Sequence, residues 1–245
     1  MADMRVSLIT GGGAGIGAAV AATLAARGDV VVCADRDLAG AQRVAAEIGG
    51  TALEMDVTAP GAGDAAVRAV VAQHGRLDVV VTCAGIEKTG PAETLPADLV
   101  RTVLDVNVVG SFDVAAAACR QFAEQGDGGR IVLIGSVNSM IALPGQAAYA
   151  ASKGSVLMLG KALAVDWAKY GVTVNVVAPG VTDTAMSAGS LGDPEKRATM
   201  MARIPMGRPA QPSDIADAVA FLSSEHAGYI TGAYLPVDGG WLALG

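Results

Sequence analysis

The side chains best suited to carry chemistry in this sequence are a tyrosine and a lysine. Tyr149 and Lys153 stand four residues apart in a segment predicted to be helical, so both lie on one face of that helix. A phenol is a weak base at its usual pKa of about 10, but a neighbouring ammonium group favours the phenolate. The pair is therefore suited to moving a proton to or from a substrate. The same spacing is common in helices, so its weight depends on the groups around it.

A serine is the first of these groups. Ser136 ends a predicted strand 13 residues before Tyr149, and Pro144-Gly145 indicates a loop between that strand and the helix. Ligands of open α/β sheets bind beyond the carboxyl ends of the strands. There the hydroxyl group of Ser136 can hydrogen-bond a substrate oxygen on which negative charge develops.

A glycine-rich turn near the start of the chain predicts a phosphate-binding site. A short apolar strand runs into the sequence TGGGAGIG at positions 10–17, and an alanine-rich helix follows. Glycines allow a tight turn and let backbone N–H groups approach a pyrophosphate, which the helix amino terminus also attracts. A plain strand-to-helix turn is the alternative, but an acidic residue at the end of the next strand favours a dinucleotide. We predict cofactor contacts from Gly11, Gly13, Gly15, Ile16 and Gly17.

Asp35 predicts which dinucleotide binds. It follows the glycine-rich turn by 18 residues, close to the spacing at which a carboxylate binds the ribose 2′-hydroxyl. Because a carboxylate repels a 2′-phosphate, this residue favours NAD over NADP. Arg36 opposes that prediction, since it can pair with a phosphate or stack on adenine, although Ala14 supplies no second basic group. Asp56 and Val57, after the third strand, either flank the adenine or belong to a turn that Asp56 caps.

The elements that must position these groups alternate along the chain. Short apolar runs predict strands at 5–10, 30–35, 52–56, 77–82, 130–135, 172–178 and 234–237, and longer segments predict helices near 15–27, 38–48, 61–74, 96–124, 149–169 and 213–223. The runs are continuously apolar, as in parallel strands covered on both faces. The order predicts an α/β fold, a single domain over 1–245 built on a doubly wound parallel sheet of about seven strands with helices on both faces. The irregular segment 182–212 is predicted to be a substrate lid.

Composition narrows the class of protein. The chain has 245 residues, of which 52% are hydrophobic and 17% charged, and this excludes a disordered protein. Its net charge of −7 argues against nucleic-acid binding. Cys33, Cys83 and Cys119 are expected to be reduced and buried, and His74 and His226 leave little for a metal site. With no signal peptide expected at the amino terminus and no apolar run near about 18 residues, we expect a cytoplasmic protein without a membrane span.

Taken in chain order, these motifs resemble those of the short-chain dehydrogenase/reductase family. The resemblance covers residues 5–240 and implies a Rossmann-type fold, a nicotinamide cofactor and hydride transfer between that cofactor and a secondary alcohol or ketone. The motifs that carry it are Thr10-Gly11-x-x-x-Gly15-Ile16-Gly17, Ala84-Gly85, Asn107, Ser136, Tyr149-x-x-x-Lys153, Pro179-Gly180 and Val237-Asp238-Gly239-Gly240.

The resemblance also implies roles for the candidate catalytic residues. By similarity, Tyr149 is the general acid/base, and Lys153 binds the nicotinamide ribose and lowers the pKa of the tyrosine. Ser136 polarises the substrate oxygen. Asn107 matches a residue that holds a water molecule in a proton relay toward the lysine, and a purely structural hydrogen bond is an alternative compatible with that role.

Two further segments match cofactor-binding positions of the family. Pro179-Gly180-Val181, together with Thr184, matches the segment that binds the carboxamide of the nicotinamide. Cys83-Ala84-Gly85 follows the fourth strand, where the family usually has Asn-Ala-Gly. With a cysteine here the backbone contact to the cofactor can be kept. The hydrogen bond that the asparagine side chain makes in the family must be either lost or replaced by another group.

The substrate is predicted less directly than the reaction. Asn138, Gln146 and Glu87 can bond hydroxyl groups, which indicates a polyol, sugar or hydroxy acid, whereas solvated loop positions are the simpler explanation of Glu87 and Gln146. The basic residues of the lid either meet an anionic substrate or lie in solvent. The predicted substrate contacts are Ser136, Asn138, Gln146, Tyr149 and Met186, with Glu87, Met140 and the lid as far as Met206 nearby, and the basic lid residues are Lys196, Arg197 and Arg203.

These observations favour an NAD-dependent dehydrogenase that acts on a secondary alcohol of a small polar substrate. An NADPH-dependent reductase of 3-oxoacyl thioesters is the alternative, and a comparison of the two cofactors separates them. A protein that only binds NAD is disfavoured, because a sensor has no use for the complete catalytic set. The resemblance further implies a homotetramer, or a homodimer, with a small-molecule substrate as its other partner. Residues 114–118 and Trp241-Leu242 fit an interface and an ordinary core equally well.

Overall fold

The structure, a computed structural model, describes residues 4–244. Residues 1–3 and 245 lie outside the described residues, and with them part of the amino-terminal segment expected to hold no signal peptide. The strands are β1 (Val6–Thr10), β2 (Val30–Asp35), β3 (Thr51–Glu54), β4 (Val79–Thr82), β5 (Gly129–Ile134), β6 (Val172–Pro179) and β7 (Tyr234–Val237).

All seven strands belong to one parallel sheet, in the order β3-β2-β1-β4-β5-β6-β7. This confirms the predicted fold class. The chain builds outward from β1 to β3 and then crosses back to place β4 on the other side of β1. At such a reversal the loops after the two central strands diverge and leave a crevice at the carboxyl edge of the sheet.

Ten helices complete the described part of the chain. They are α1 (Gly15–Ala26), α2 (Leu38–Ile48), α3 (Ala62–His74), α4 (Ala97–Leu104), α5 (Ser111–Gln125), α6 (Ala147–Trp167), α7 (Ala188–Leu191), α8 (Pro194–Met201), α9 (Pro212–Leu222) and α10 (Trp241–Leu244). Single 3₁₀ turns occupy Ala92–Thr94, Val137–Ser139, Ala168–Tyr170 and Glu225–Ala227.

The helices cover both faces of the sheet, which explains the continuous apolar runs of the strands. Residues of α3, α5 and α6 pack with Val32 in one buried cluster. Residues of α1, α2 and α9 pack with Val31 in the other. Since successive strand residues face opposite sides, both faces require apolar residues.

The predicted helix over 96–124 differs from the structure in one instructive way. Between α4 and α5 the backbone forms a π-helical stretch, Asp105–Gly110, which contains the buried Asn107. A π-helical turn inserts one residue into the helix and is found frequently at functional sites. Here it turns Asn107 toward the segment that follows β4.

The expectation that the chain has no segment long and apolar enough to span a membrane is wrong by length and hydropathy. The continuous helix Ala97–Gln125 has 29 residues and a mean hydropathy of 1.4 in an 18-residue window. Half of that window is buried within the protein. Core helices often have this composition, so the segment is weak evidence for a span.

Two other boundaries shift for local reasons. Helix α9 begins at Pro212 rather than at 213. Proline is suited to the first position of a helix, because the N–H group that it lacks would have no partner within the helix. The carboxylate of Asp214 accepts the N–H of Gln211 at 2.7 Å and closes this helix start. The segment 182–212 contains the short helices α7 and α8 and is therefore not wholly irregular.

Candidate active site

The glycine-rich turn after β1 has the backbone that a phosphate site needs. Gly11 and Gly15 adopt positive φ values of 66° and 55°. A Cβ atom on Gly11 would lie 2.8 Å from the backbone nitrogen of Ala84, and one on Gly17 would lie 2.0 Å from the carbonyl oxygen of Gly11. Helix α1 starts at Gly15 without a side-chain cap, so its first N–H groups face the crevice with the partial positive charge of a helix end.

A cavity of about 290 Å³ lies over this turn. It brings together residues of the turn, of the ends of β2 and β3, and of the segment after β4. The predicted cofactor contacts among its lining are Gly11, Gly15, Ile16, Gly17, Asp35, Arg36, Asp56, Val57, Cys83, Ala84, Gly85 and Thr184. The shape and donors of this cavity fit an extended dinucleotide.

Among the predicted glycines of this turn, Gly13 is the one that does not line the cavity. Its N–H donates to Oδ2 of Asp35 at 3.0 Å, and its carbonyl oxygen accepts a hydrogen bond of 3.0 Å from Arg43. The other carboxylate oxygen of Asp35 accepts the N–H of Asp37 at 3.0 Å. Gly13 therefore fixes the position of the carboxylate that faces the cavity.

Asp56 caps a turn, which is one of the two alternatives that the sequence left open. It lines the cavity, and its Oδ1 also accepts the N–H of Thr58 at 2.9 Å and the hydroxyl of Thr58 at 2.7 Å. The backbone hydrogen bond, followed by that hydroxyl, lowers the pKa of Asp56. Asp56 is thus an ionised turn cap at the rim of the site.

The segment after β4 is held without an asparagine at position 83. Thr10 accepts the N–H of Ala84 through its hydroxyl at 3.2 Å and the N–H of Cys83 through its carbonyl at 3.1 Å. Asn107 accepts the N–H of Ile86 at 2.8 Å and donates to the carbonyl of Ile86 at 2.9 Å. Burial raises the pKa of the Cys83 thiol to about 12, so it packs as a neutral side chain.

Asn107 has a structural role in this arrangement. Its amide group makes three hydrogen bonds, the third a donation to the hydroxyl of Ser152 on α6 at 3.0 Å. That bond links the segment after β4 to the helix that carries Tyr149 and Lys153. The structural hydrogen bond considered for Asn107 is therefore present.

The candidate catalytic residues meet in a second cavity of about 200 Å³, lined by Ser136, Tyr149 and Lys153. The ammonium of Lys153 lies 5.6 Å from the centre of the Tyr149 ring and donates to the carbonyl of Ile134 at 2.7 Å. The hydroxyl of Ser136 lies near enough to the phenol of Tyr149 to lower the pKa of the tyrosine. Tyr234 holds Ser136 by donating to its carbonyl oxygen at 2.9 Å.

The electrostatics of the tyrosine differ from the sequence prediction. Burial, with a smaller contribution from the charge of Glu87, raises the pKa of Tyr149 to about 12 against the lowering effect of the Ser136 hydrogen bond. Burial likewise lowers the pKa of Lys153 to about 8. In the protein without bound ligands, desolvation therefore outweighs the lowering of the tyrosine pKa that is expected from the lysine.

One wall of the catalytic cavity is polar. Asn138 donates from its side-chain amide to the side-chain carbonyl of Gln146, and the amide of Gln146 donates to the carboxylate of Glu87. All three residues line the catalytic cavity. The simpler explanation of Glu87 and Gln146 as solvated loop residues is therefore not what the structure shows.

Other predicted residues divide between the cavity and the surface. Pro179-Gly180-Val181 lines the catalytic cavity, and Thr184 and Met186 line both cavities. Met140 is 62% exposed and lies outside both linings. The basic lid residues Lys196, Arg197 and Arg203 also lie outside them and are exposed.

Sequence analysis did not place two apolar residues at the catalytic cavity. Leu143 and Trp241 belong to its lining, and Trp241 is only 6% exposed. Trp241 was assigned equally to an interface or to ordinary core. The turn formed by Asp238, which accepts the N–H groups of Gly240 and Leu242, instead places it at the site.

Known proteins resemble this chain along nearly its whole length. The family model described as enoyl-(acyl carrier protein) reductase matches residues 11–242. A 2-(R)-hydroxypropyl-CoM dehydrogenase of Xanthobacter autotrophicus is 38% identical over 98% of this chain and 99% of its own length. A D-threitol dehydrogenase of Mycolicibacterium smegmatis is 37% identical over 98% and 93%. A 3-oxoacyl-(acyl-carrier-protein) reductase of Escherichia coli is 37% identical over 96% and 96%.

Solved structures of other proteins also resemble this chain along nearly its whole length. A gluconate 5-dehydrogenase of Burkholderia cenocepacia, in complex with NADP and tartrate, superposes with a TM-score of 0.93 at 35% identity and covers 98% of this chain and 96% of that one. A short-chain type dehydrogenase/reductase of Mycobacterium ulcerans gives a TM-score of 0.93 at 32% identity, with 98% and 90% covered.

Fold, site and relatives lead to one assignment. The sheet order creates the crevice, the glycine turn and the helix end fit a dinucleotide, and the tyrosine, lysine and serine meet beside it. The relatives named above are oxidoreductases of alcohols or of the corresponding carbonyl compounds. This chain belongs to the short-chain dehydrogenase/reductase family, as an oxidoreductase that acts on CH–OH groups with a nicotinamide cofactor.

Proposed function

We propose that the protein interconverts a secondary alcohol and a ketone of a small polar substrate with NAD(H). The observation that carries this proposal is the continuity of the two cavities. Ile16, Cys83, Gly85, Thr184 and Met186 line both of them, so a dinucleotide in the first extends beside the catalytic residues of the second.

The catalytic residues divide the chemistry in a simple way. In the oxidation direction Tyr149 takes the proton of the substrate hydroxyl, and in the reduction direction it returns that proton to the substrate oxygen. Ser136 hydrogen-bonds the same oxygen and stabilises the charge that develops on it. Lys153, beneath the tyrosine ring, binds the cofactor ribose and replenishes the proton. The nicotinamide, when bound, accepts or supplies the hydride.

We propose that Asn107 adds a relay to its structural role. Its side chain is committed to Ile86 and Ser152, and its backbone carbonyl accepts the hydroxyl of Ser111 at 2.9 Å, so the role falls to the second lone pair of that carbonyl oxygen. The π-helical stretch displaces the carbonyl groups of 105–110 from regular helical pairing. A water molecule held there would connect Lys153 with solvent.

We propose NAD rather than NADP because the carboxylate of Asp35 is fixed at the cavity. Two backbone N–H groups hold it in place, so it cannot swing away from a 2′-phosphate without losing both hydrogen bonds. Arg36 lines the same cavity and supports the alternative, an NADPH-dependent reductase of 3-oxoacyl thioesters. The relatives include a D-threitol dehydrogenase and a 3-oxoacyl-(acyl-carrier-protein) reductase.

The segment 182–212 is proposed as a lid over the substrate. Its two ends are tied together, because Asp183 donates to the carbonyl of Ala210 at 2.8 Å and Ala210 donates to that of Val181 at 2.8 Å. Between these ends the segment supplies Met186, Ser187, Ser190 and Met200 to the catalytic cavity. A loop closed at its base can move as a unit, and its two methionines help to exclude water from the cavity.

The proposed assembly and location rest on surface and cysteine observations. Exposed apolar side chains are Met158 and Val165 on α6, Phe112 at the start of α5 and Val109 in the π-helical stretch before it. They support the homotetramer, or homodimer, through these helices. Cys33, Cys83 and Cys119 are all free, which supports a reducing compartment such as the cytoplasm.

The test of the proposed function is a comparison of cofactors and substrates. Reduction of NAD and of NADP is followed with a panel of secondary alcohols, and oxidation of NADH and NADPH with a 3-oxoacyl thioester. We expect turnover of a small polar alcohol with a preference for NAD. Faster turnover of the thioester with NADPH would establish the alternative, and no turnover of any of these substrates would reject both.

The pH dependence of alcohol oxidation follows from the tyrosine. Tyr149 accepts a proton only when it is deprotonated, and its pKa lies near 12 before ligands bind. We therefore expect kcat/KM for oxidation to rise from about pH 6 to 7.5, where ketone reduction, which needs the protonated tyrosine, stays nearly constant because Lys153, with a pKa of about 8, remains mostly charged. Equal profiles in the two directions, measured with one alcohol–ketone pair, would contradict a tyrosine acid/base.

Asp35→Asn tests the cofactor assignment. Asparagine can still accept the N–H of Gly13, but it carries no charge to repel a phosphate. We expect the ratio of kcat/KM with NAD to that with NADP to fall by roughly thirtyfold to a hundredfold. Asp37→Asn makes the same chemical change on an exposed residue of the same turn, outside the cavity, and should leave the ratio unchanged. An unaltered ratio in Asp35→Asn would show that Asp35 does not select the cofactor.

A further inference from the structure

One wall of the catalytic cavity is a connected chain of three polar side chains. Glu87 follows β4, Gln146 directly precedes α6, and Asn138 lies in the turn after β5. The amide of Gln146 donates to Glu87, and the amide of Asn138 donates to Gln146. Asn138 is only 5% exposed, so the chain is anchored within the protein. The backbone N–H of Asn138 also donates to the hydroxyl oxygen of Ser136 at 3.1 Å. This hydrogen bond ties the three polar side chains to a catalytic residue.

These hydrogen bonds fix what the wall offers to a ligand. A carboxylate only accepts hydrogen bonds, so Gln146 must turn its NH₂ group toward Glu87 and its carbonyl toward Asn138. The bond between Glu87 and Gln146 uses one carboxylate oxygen and one N–H. The second oxygen of Glu87 and the second N–H of Gln146 form an acceptor beside a donor. A hydroxyl group, which both donates and accepts, is complementary to that pair.

The charges of the lining favour a neutral ligand. Among its described residues, Glu87 and Lys153 are the charged ones. The ammonium of Lys153 is committed to the carbonyl of Ile134 and to the tyrosine ring, so it is placed for the proton transfer and the cofactor rather than for a substrate carboxylate. The carboxylate of Glu87 would repel an anionic group at the wall. A cationic substrate would in turn meet Lys153.

We propose that Glu87, Gln146 and Asn138 form a specificity site that selects a neutral polyol and rejects hydroxy acids. A second hydroxyl of the substrate, next to the reacting carbinol, binds between Glu87 and Gln146 while the carbinol oxygen lies at Ser136 and Tyr149. The inference rests on the proposed function, because it needs an alcohol at the catalytic residues. It narrows that function from small polar substrates in general to uncharged ones with neighbouring hydroxyl groups.

Two substrate pairs test the proposal on the unaltered protein. D-threitol and threonate share their secondary hydroxyls and differ by one terminal carboxylate, and 2,3-butanediol and 2-butanol differ by one hydroxyl. We expect the neutral tetritol to exceed threonate, and the diol to exceed the mono-alcohol, by on the order of a hundredfold in kcat/KM. Threonate oxidised as well as D-threitol, or 2-butanol as well as the diol, would overturn the specificity site and leave the alcohol dehydrogenase standing. If no secondary alcohol is oxidised, the proposed function itself fails.

Glu87→Gln tests the residue directly. Glutamine has the same shape and can still accept the N–H of Gln146, but it removes the repulsion of an anion. We expect the preference for D-threitol over threonate to narrow by at least about tenfold. Glu93→Gln is the matched control, since Glu93 is exposed, belongs to the same connection after β4 and lies outside the cavity. A folded Glu87→Gln variant with the unaltered preference, shown by thermal unfolding to be intact, would overturn the proposal.

Discussion

Replacing Tyr149 by phenylalanine should lower kcat/KM for alcohol oxidation by about a thousandfold to ten-thousandfold. The change removes a single oxygen atom, and with it the group that takes the substrate proton. The ring stays in place, so its contact with the ammonium of Lys153 remains. We therefore expect the dissociation constant of NAD to stay within about twofold of the original value, because loss of a group used only in the transition state leaves ground-state binding intact.

The measurement combines steady-state kinetics with a fluorescence titration of NAD. Tyr229→Phe is the matched control, because Tyr229 is fully exposed and the substitution removes the same oxygen atom away from the site. It should keep full activity. If Tyr149→Phe retains activity within about tenfold of the original, another group must move the proton, and the assigned role of the tyrosine is wrong.

The fold and the cofactor cradle were predictable because local sequence determines them. Strands covered on both faces must be continuously apolar, which is why runs such as Val30-Val31-Val32 mark their positions with an error of a residue or two. The turn after β1 needs positive φ at Gly11 and Gly15 and close backbone contact at Gly17, and glycine satisfies both. A requirement that only one residue type meets is visible in a sequence.

The π-helical stretch could not be predicted, because no residue type is specific to it. Its sequence, DVNVVG, fits a regular helix equally well. Tertiary contacts favour the extra residue. Asn107 binds the segment after β4, and Gly110 packs so closely on Val57 that a Cβ atom on the glycine would lie 2.8 Å from the valine side chain. Both partners are distant in sequence.

The electrostatics of the site were missed for the same reason. Spacing placed an ammonium beside Tyr149, and from spacing alone the tyrosine pKa should fall. Burial has the opposite effect and is larger, and the carboxylate that adds to it belongs to Glu87, on a different segment. The wall of Glu87, Gln146 and Asn138 likewise assembles from three segments that only the sheet brings together. Residues that act through partners across the fold need the structure to reveal their roles.

Gly17→Ala should produce the reverse of the tyrosine variant, with cofactor binding lost and the catalytic group intact. The new methyl group would lie 2.0 Å from the carbonyl oxygen of Gly11, so either the turn or the start of α1 must move by about 1 Å. A misplacement of about 1 Å can lower a reaction rate about a hundredfold where the fold positions the reacting groups. We expect a loss of the same order in NAD affinity, at least a hundredfold. The stabilisation that NAD gives to the folded protein in thermal unfolding should shrink accordingly.

A matched glycine separates this effect from that of an added methyl group. Gly189→Ala introduces the same atom at an exposed position of α7 with no heavy atom within 4 Å, and it should leave both the affinity and the thermal shift unchanged. Because Gly17→Ala keeps Tyr149, Lys153 and Ser136, part of its turnover should return at saturating NAD, whereas Tyr149→Phe should stay inactive at any NAD concentration. A folded Gly17→Ala protein that binds NAD within about threefold of the original would show that the close contact between Gly17 and Gly11 does not shape the cofactor site.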